Sequence, residues 1–565
     1  MTPDEMDPER HSDPVAPAST PTAPEDAPDD STGAFVRNTA VMSAGTALSR
    51  ITGFLRLAAM TYALGITESR LADAYNVANT TPNIIYELAL GGILTSVVVP
   101  VLVEWLQLHG REAAWDVARR LISLAVVTLT AVALIGIIAA PWIVDLYTIG
   151  WSATDRAAAH ELATFFLRWF MPQIVFYGIG AIATGLLNTH RRFAAPMFAP
   201  IVNNLIVIAT FLTFAAMSSS ASARAVTGPQ RLVLAIGTTA GVVGMTLALL
   251  PALRATGFRL RWRRGWGHEA VRRMAHLAKW VLIYVAANQV GYLVVILLAG
   301  AAGRGGYTAY TAAFILFQLP HAIFAVSIFT ALLPAMSGRW ASGDVEGFRT
   351  RLSQGIRATA AIVIPAALGY LVLAGPIVRL LLQHGVATAA SGRLVADVLV
   401  AFSLGLFFFS AFQLLLRAYY AMQDTRTPAL VNIAAMLVNV AADVLFFFGL
   451  DLGVQGLALG HAASYVFGSL ALVVLIRRRI GGMGGRALAA GIVRTLVAGA
   501  ATAATAWLVA RGLASLVGTE TLLDQAIQVG GAVAAALAVY LLAAALLRIE
   551  EVAMARRQLL GRLAR

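Results

Sequence analysis

The sequence predicts an all-α integral membrane protein of about fourteen transmembrane helices: two six-helix lobes related by a parallel repeat, plus two extra C-terminal helices. Three observations carry this reading. Of the 565 residues 59% are hydrophobic and 13% charged, and mean hydropathy is +0.75. Apolar stretches long enough to cross a hydrocarbon layer of roughly 30 Å recur along the chain. Markers in the second half of the chain repeat those of the first at an offset near 233 residues.

Residues 1–34 hold nine acids and one arginine and few large apolar groups, a composition that cannot bury a core, so a disordered acidic tail is expected. The apolar stretches then run approximately 38–64, 74–106, 121–149, 160–188, 196–218, 231–253, 278–302, 308–336, 356–382, 394–421, 428–450, 454–476, 488–512 and 525–547. Nearly every one contains Gly or Pro and none shows ten-residue alternation, which points to helices and away from barrel strands. The repeat is read from Pro100 and Pro334, from Gly110 and Gly343 with an aromatic residue five later, and from Arg191-Arg192 with Pro196 against Arg426 with Pro428. Parallel repeats place a substrate site near the interface of the repeats. The resulting organisation is an N-lobe over 35–253, a basic amphipathic linker over 254–277 and a C-lobe over 278–480. Two extra helices over 481–548 and a basic tail over 549–565 follow. Arg and Trp interleave in the linker, so an interfacial amphipathic helix is expected there, with an ordinary basic cytoplasmic loop as the alternative.

Basic residues alternate between loops: one set of connections holds 27 of the 42 Lys and Arg, the opposite set seven. By the positive-inside rule the richer set is cytoplasmic, with both termini inside. The basic balance therefore reflects topology and contact with anionic lipid, and nucleic acid is not an expected partner. The chain has no cysteine, which excludes disulfides, thiolate metal sites and thiol chemistry. No phosphate-binding Walker loop, H-E-x-x-H or G-x-S-x-G motif appears, and no soluble stretch is long enough to hold catalysis, so no enzyme is expected.

Arg50 and Arg56 lie inside the first apolar stretch, about 9 Å apart along a helix and roughly 120° apart around it. A charge near the middle of a membrane helix costs roughly 2.5–3.5 kcal/mol on insertion scales. Two arginine forks so placed suit a phosphate-bearing ligand in a hydrated cavity. The alternative is that they snorkel or pair with Asp73 or Glu87. In the second stretch Asn76, Asn79, Asn83, Tyr86 and Glu87 recur at spacings of three and four, making one polar stripe, with Pro82 and Gly91-Gly92 as bends. Such a stripe lines a cavity or hydrogen-bonds a neighbouring helix. Asn439 and Asp443, one turn apart, offer oxygens for a hard cation or a proton, or else Asp443 is solvated at the outer interface.

Several segments together resemble the MurJ (MviN) family of lipid II flippases, in the multidrug/oligosaccharidyl-lipid/polysaccharide exporter superfamily. They are Ser49-Arg-Ile-Thr-Gly-Phe-Leu-Arg56, Ala72-Asp-Ala-Tyr-Asn-Val-Ala-Asn-Thr-Thr-Pro-Asn83, Phe193-Ala-Ala-Pro-Met-Phe-Ala-Pro200 and Tyr420-Ala-Met-Gln-Asp-Thr-Arg-Thr-Pro428, with Gln318-Leu-Pro320. The resemblance implies an alternating-access transporter in the bacterial cytoplasmic membrane. It would move undecaprenyl-diphosphate-linked peptidoglycan precursor from the inner to the outer leaflet. It implies lipid II and membrane lipids as partners, with cell-wall synthesis or division proteins as further ones. Arg50 and Arg56 match family arginines that hold the diphosphate, with Ser49 beside them. Asp73 matches a family aspartate, and Asn439 and Asp443 match part of a sodium site, so coupling to sodium or protons is implied and no organic cofactor. The chain departs from the family pattern at Tyr86 and Glu87, where many members have a basic pair, at Gly91 and at Ile315. Export of another polyprenyl-linked glycan and a non-transporting cell-wall scaffold are the competing functions.

Overall fold

A computed structural model describes residues 32–87, 98–190, 192–217, 226–264 and 267–553, and among them there is helix and no strand. The first half contains α1 (Thr32–Leu64), α2 (Leu71–Glu87), α3 (Val99–Tyr147), α4 (Ala153–Phe170), α5 (Gln173–Thr189), α6 (Ala194–Met217), α7 (Gly228–Ala248) and the single turn α8 (Leu250–Arg254). The second contains α9 (Glu269–Ala301), α10 (Gly306–Pro320), α11 (Val326–Ala341), α12 (Val345–Leu382), α13 (Ala389–Ser403), α14 (Leu406–Ala421), α15 (Arg426–Val444) and α16 (Gly453–Ile480). The chain continues with α17 (Gly485–Val517) and α18 (Leu522–Leu546). In lipid no water is available for backbone groups, so long helices that close their own hydrogen bonds are the expected solution.

The breaks in these helices obey the same repeat. α3 kinks at Gly110, whose φ of 80° is left-handed, and the matching turn between α11 and α12 has Gly343 at φ 73°. A side chain is disfavoured at both. The α4–α5 break at Met171-Pro172 matches the break at Leu404-Gly405, where α13 and α14 bend by 49°. Packing falls into two groups. In one, α1 packs on α6, α6 on α7, α3 on α5 and α2 on α4. In the other, α15 packs on α16, α12 on α11 and α13, and α14 on α16. The pair α17–α18 leans on α12.

Each group has an aromatic core: Tyr75 sits edge-on to Phe211 at 5.3 Å, and Phe317 stacks on Phe402 at 5.2 Å. Glycine sets how closely the helices approach. A Cβ at Gly405 would lie 2.7 Å from the Cα of Ala462 on α16. The outer faces keep large apolar side chains exposed, such as Ile135, Ile138 and Trp142 on α3 and Leu542 and Leu546 on α18, as a lipid-facing surface requires.

Among the described residues ten helices are long and apolar enough to cross a membrane, eleven with the bent α13–α14 pair, so the exact count of fourteen is not confirmed. α1 carries its two arginines inside the apolar run, and α2 is short and polar where it is described. Over residues 258–264 the linker runs without helix beside α3, as the ordinary-loop alternative has it, while 269–277 belong to α9. Arg119 and Arg120 donate to the carbonyls of Arg259 and Arg264 (2.9 and 2.6 Å), and the Arg263 N–H donates to Ser123 Oγ (3.1 Å). Phe258 is buried while Leu260 and Trp262 stay exposed. The Gly91-Gly92 bend, the acidic tail up to residue 31 and the basic tail from residue 554 lie outside the described residues.

Candidate functional site

Between the two helix groups lies a cavity of about 1130 Å³, walled by α1, α2 and α6 from the first half and by α9, α10, α15 and α16 from the second. Most predicted site residues meet here. Ser49, Arg50, Arg56, Asn76, Asn79, Asn83, Tyr86, Glu87 and Asn439 all line it. Among the described residues Arg50 and Arg56 pair with no carboxylate, so neither Asp73 nor Glu87 neutralises them. Arg56 lies beside the Tyr75 hydroxyl, which also bonds Thr238 at 2.8 Å. α1 is held against α6 by Asn204, whose Nδ2 donates to Thr52 Oγ1 (3.0 Å) and to the Ser49 carbonyl (3.3 Å). That bond fixes the turn of α1 bearing Arg50. Gly53, between the arginines, also faces the cavity.

The polar stripe of α2 does both jobs weighed for it. It lines the cavity and also bonds neighbours: Asn76 Nδ2 donates to Thr308 Oγ1 (3.2 Å), and Tyr177 donates to Asn83 Oδ1 (3.4 Å). Thr80, Tyr307 and Tyr292 form a hydroxyl chain with links of 2.9 Å that ties α2 to α10 and α9. Tyr86 packs on Tyr177 with ring centroids 4.5 Å apart.

The sequence reading missed the carboxamides that the other helices supply: Asn204, Asn288, Gln289 and Asn432. Asn432 Nδ2 donates to Asn288 Oδ1 at 3.3 Å, joining α15 to α9. The Asn288-Gln289 pair inside an apolar helix and the seven-residue step from Asn432 to Asn439 were the available signals. His461 lines the cavity while standing edge-on to Phe314 at 5.3 Å, so its role includes packing. Ile315 lines it as well, leaving that wall apolar where the family pattern has arginine.

Two candidates do not line the cavity. Asp73 is fully buried in a junction between the halves. Its Oδ2 accepts from Arg70 Nη1 and from the Gly305 N–H (both 2.8 Å), and its Oδ1 accepts from the N–H and Oγ1 of Thr308 (3.1 and 2.7 Å). Arg70 also donates to Asp155 Oδ2 (3.3 Å), whose Oδ1 accepts from Arg304 (2.8 Å). Asp73 therefore ties α2 to the α9–α10 turn. Asp443 is also fully buried, so it is not solvated at an interface. Its Oδ1 accepts from Asn439 Nδ2 at 3.1 Å, and its Oδ2 has no partner among the described residues. Gly460 on α16 makes room for it, since a Cβ there would lie 2.1 Å from Oδ1.

Two repeated helical groups around a polar, cationic cavity define a multi-pass membrane transporter. The family model for "Lipid II flippase MurJ" matches residues 60–524, and the chain belongs to that family. A probable lipid II flippase MurJ of Vibrio cholerae is 29% identical over 416 residues, covering 72% of this chain and 77% of that protein. The lipid II flippase MurJ of Burkholderia cenocepacia is 28% identical, covering 78% and 83%. Among solved structures, a lipid II flippase MurJ in an inward closed conformation superposes with a TM-score of 0.72 at 21% identity, over 90% of this chain and 98% of that one. An inward-facing multidrug-resistance MATE transporter of the MOP superfamily gives 0.64 at 15% identity, over 78% and 99%. These two likenesses concern the fold.

Proposed function

We propose that the protein flips lipid II, a polyprenyl-diphosphate-linked glycopeptide, from the inner to the outer leaflet of the bacterial cytoplasmic membrane by alternating access. The observation that supports this most is the pair Arg50 and Arg56, facing a cavity between the halves and paired with no carboxylate among the described residues. Guanidinium forks match phosphate oxygens, and the carboxamides around them offer donors and acceptors to sugar and peptide groups. The prenyl tail has no polar group to satisfy and stays in lipid. The Asp73 junction lies at the end of the helices remote from the basic loops, which we assign to the outer side, with both termini cytoplasmic. With that junction made, the headgroup enters from the cytoplasm.

Purified protein in vesicles carrying lipid II in the inner leaflet is expected to expose it to an external lipid II-binding probe, at a rate well above that of protein-free vesicles. Equal rates would reject the reading. A cationic-drug exporter fits poorly, because such a substrate would meet two arginines.

The cation coupling is proposed at Asp443. Its unpartnered buried oxygen, with the Asn439 amide one turn away, fits a proton, or a sodium ion completed by further oxygens. Transport by D443N is expected to lose its dependence on the coupling cation. Replacing sodium by choline at fixed pH separates the two ions. A D443N protein that keeps the wild-type ion and pH dependence would exclude this site.

A further inference from the structure

Arg50, Arg56 and Glu87 are the Arg, Lys, Asp and Glu side chains that line the cavity among the described residues, and the opposite charges stay apart. Glu87 closes the polar stripe at the last described turn of α2, is exposed to the cavity, and forms no hydrogen bond or ion pair with a described residue. An unmatched carboxylate at membrane depth is costly, and two arginines on the same walls could have relieved it. The lining instead keeps a cationic and an anionic pole, separated by neutral carboxamides. Tyr86 and Tyr292 line the same cavity as Glu87, and a carboxylate and tyrosine rings facing one space together suit an ammonium group.

We infer that the cavity is built for a zwitterionic headgroup: Arg50 and Arg56 take the diphosphate, and Glu87 takes a primary ammonium on the peptide that travels with it. This rests on the proposed flippase reading and deepens it, making Glu87 a specificity-determining residue.

The test compares binding of three lipids to the full-length wild-type and E87Q proteins: undecaprenyl diphosphate, lipid II with a free side-chain amine, and the same lipid II with that amine acetylated. The wild type is expected to bind the free-amine lipid about tenfold more tightly than the acetylated one. E87Q is expected to bind both alike, at the wild-type affinity for the acetylated form, and E87D to recover part of the preference. Undecaprenyl diphosphate reports on the arginines and on folding, and its affinity is expected to be the same in both proteins. If the wild type binds both lipid II forms equally, or E87Q weakens all three lipids together, the ammonium assignment is overturned while the flippase reading stands. If none of the three binds the wild type, the flippase reading fails and takes this inference with it.

Discussion

Alanine at Arg50 or Arg56 is expected to abolish transport while leaving the protein folded. Neither guanidinium pairs with a carboxylate among the described residues, so truncation strands no buried counter-charge. A charge-assisted hydrogen bond contributes about 1.5–3 kcal/mol, so each single variant should bind undecaprenyl diphosphate roughly ten- to hundredfold more weakly. The double variant should show no saturable binding. Thermal unfolding in detergent should shift little for either, because removing an unmatched intramembrane charge does not cost folding energy. R56K tests the mechanism more finely: it keeps the charge and loses the planar fork, so it should fall between wild type and R56A. Wild-type affinity in both alanine variants would remove the arginines from the site. Loss of binding accompanied by a large drop in melting temperature would make them structural.

How legible these features were depended on how far each residue's partners lie along the chain. Arg50 and Arg56 could be read directly, because a charge inside an apolar run is costly wherever the chain folds. The stripe from Asn76 to Glu87 was legible for a similar reason, since its spacing alone gives one helix face. Asp73 was not. Its carboxylate bonds Gly305 and Thr308, more than 230 residues away, and no local pattern announces a partner supplied by the other half of a repeat. Asp443 shows the same limit, because the room it occupies is created by Gly460 on the next helix. Over 258–264 the helical reading of the linker fails for a different reason. Phe258, Leu260 and Trp262 alternate with Arg259, Arg261 and Arg263, a period of two that fits extended chain better than helix. The expectation of an amphipathic helix gave weight to composition over that period.

Transport and closure make different demands on charge, and the two sets of arginines separate them. Arg50 and Arg56 line the cavity and pair with no carboxylate among the described residues, whereas Arg70 is consumed by protein: its guanidinium meets Asp73, Asp155 and the carbonyls of Gly300 and Gly303, and stands 4.5 Å over the Trp151 ring. An arginine satisfied on every side holds a structure in place. One facing water is ready to exchange that water for phosphate.

The second large effect is expected at this junction. Arg70 and Asp73 are 4% and 0% exposed, and removing one partner of a buried pair costs about 3–5 kcal/mol because the other charge is left behind. Much of that cost should fall on the state closed at this end, which the proposed topology makes the outer one, since Asp73 reaches across to Gly305 and Thr308. Gly305 cannot be adjusted to compensate: its φ is +74°, and a Cβ there would lie 2.4 Å from the Ile66 carbonyl oxygen. D73N and R70A should therefore open the outer end. Because the chain has no cysteine, Asn83→Cys places a single thiol on the cavity wall. A membrane-impermeant thiol reagent added outside should label N83C slowly, and N83C combined with D73N at least tenfold faster. The double replacement of Arg70 and Asp73 by apolar residues should perturb less than the two single changes added together. Acid provides an independent handle through Glu68, which joins the same end of the molecule to the other half by accepting from the Thr388 N–H (2.7 Å) and Ser391 Oγ (2.9 Å). Burial raises its carboxyl pKa, but the N–H and O–H donors around it outweigh burial and hold it below the ordinary 4.5. A group with a lowered pKa in the folded state stabilises above its unfolded value and loses that contribution as pH falls through the folded one. Closure should thus be unchanged from neutral pH down to about 4.5, and outside labelling of N83C, measured at each pH relative to a freely exposed thiol because the thiolate is the reacting form, should rise only below that, with E68Q removing this acid step. If D73N melts earlier than wild type yet leaves labelling from outside unchanged, the junction serves folding alone and does not gate the cavity.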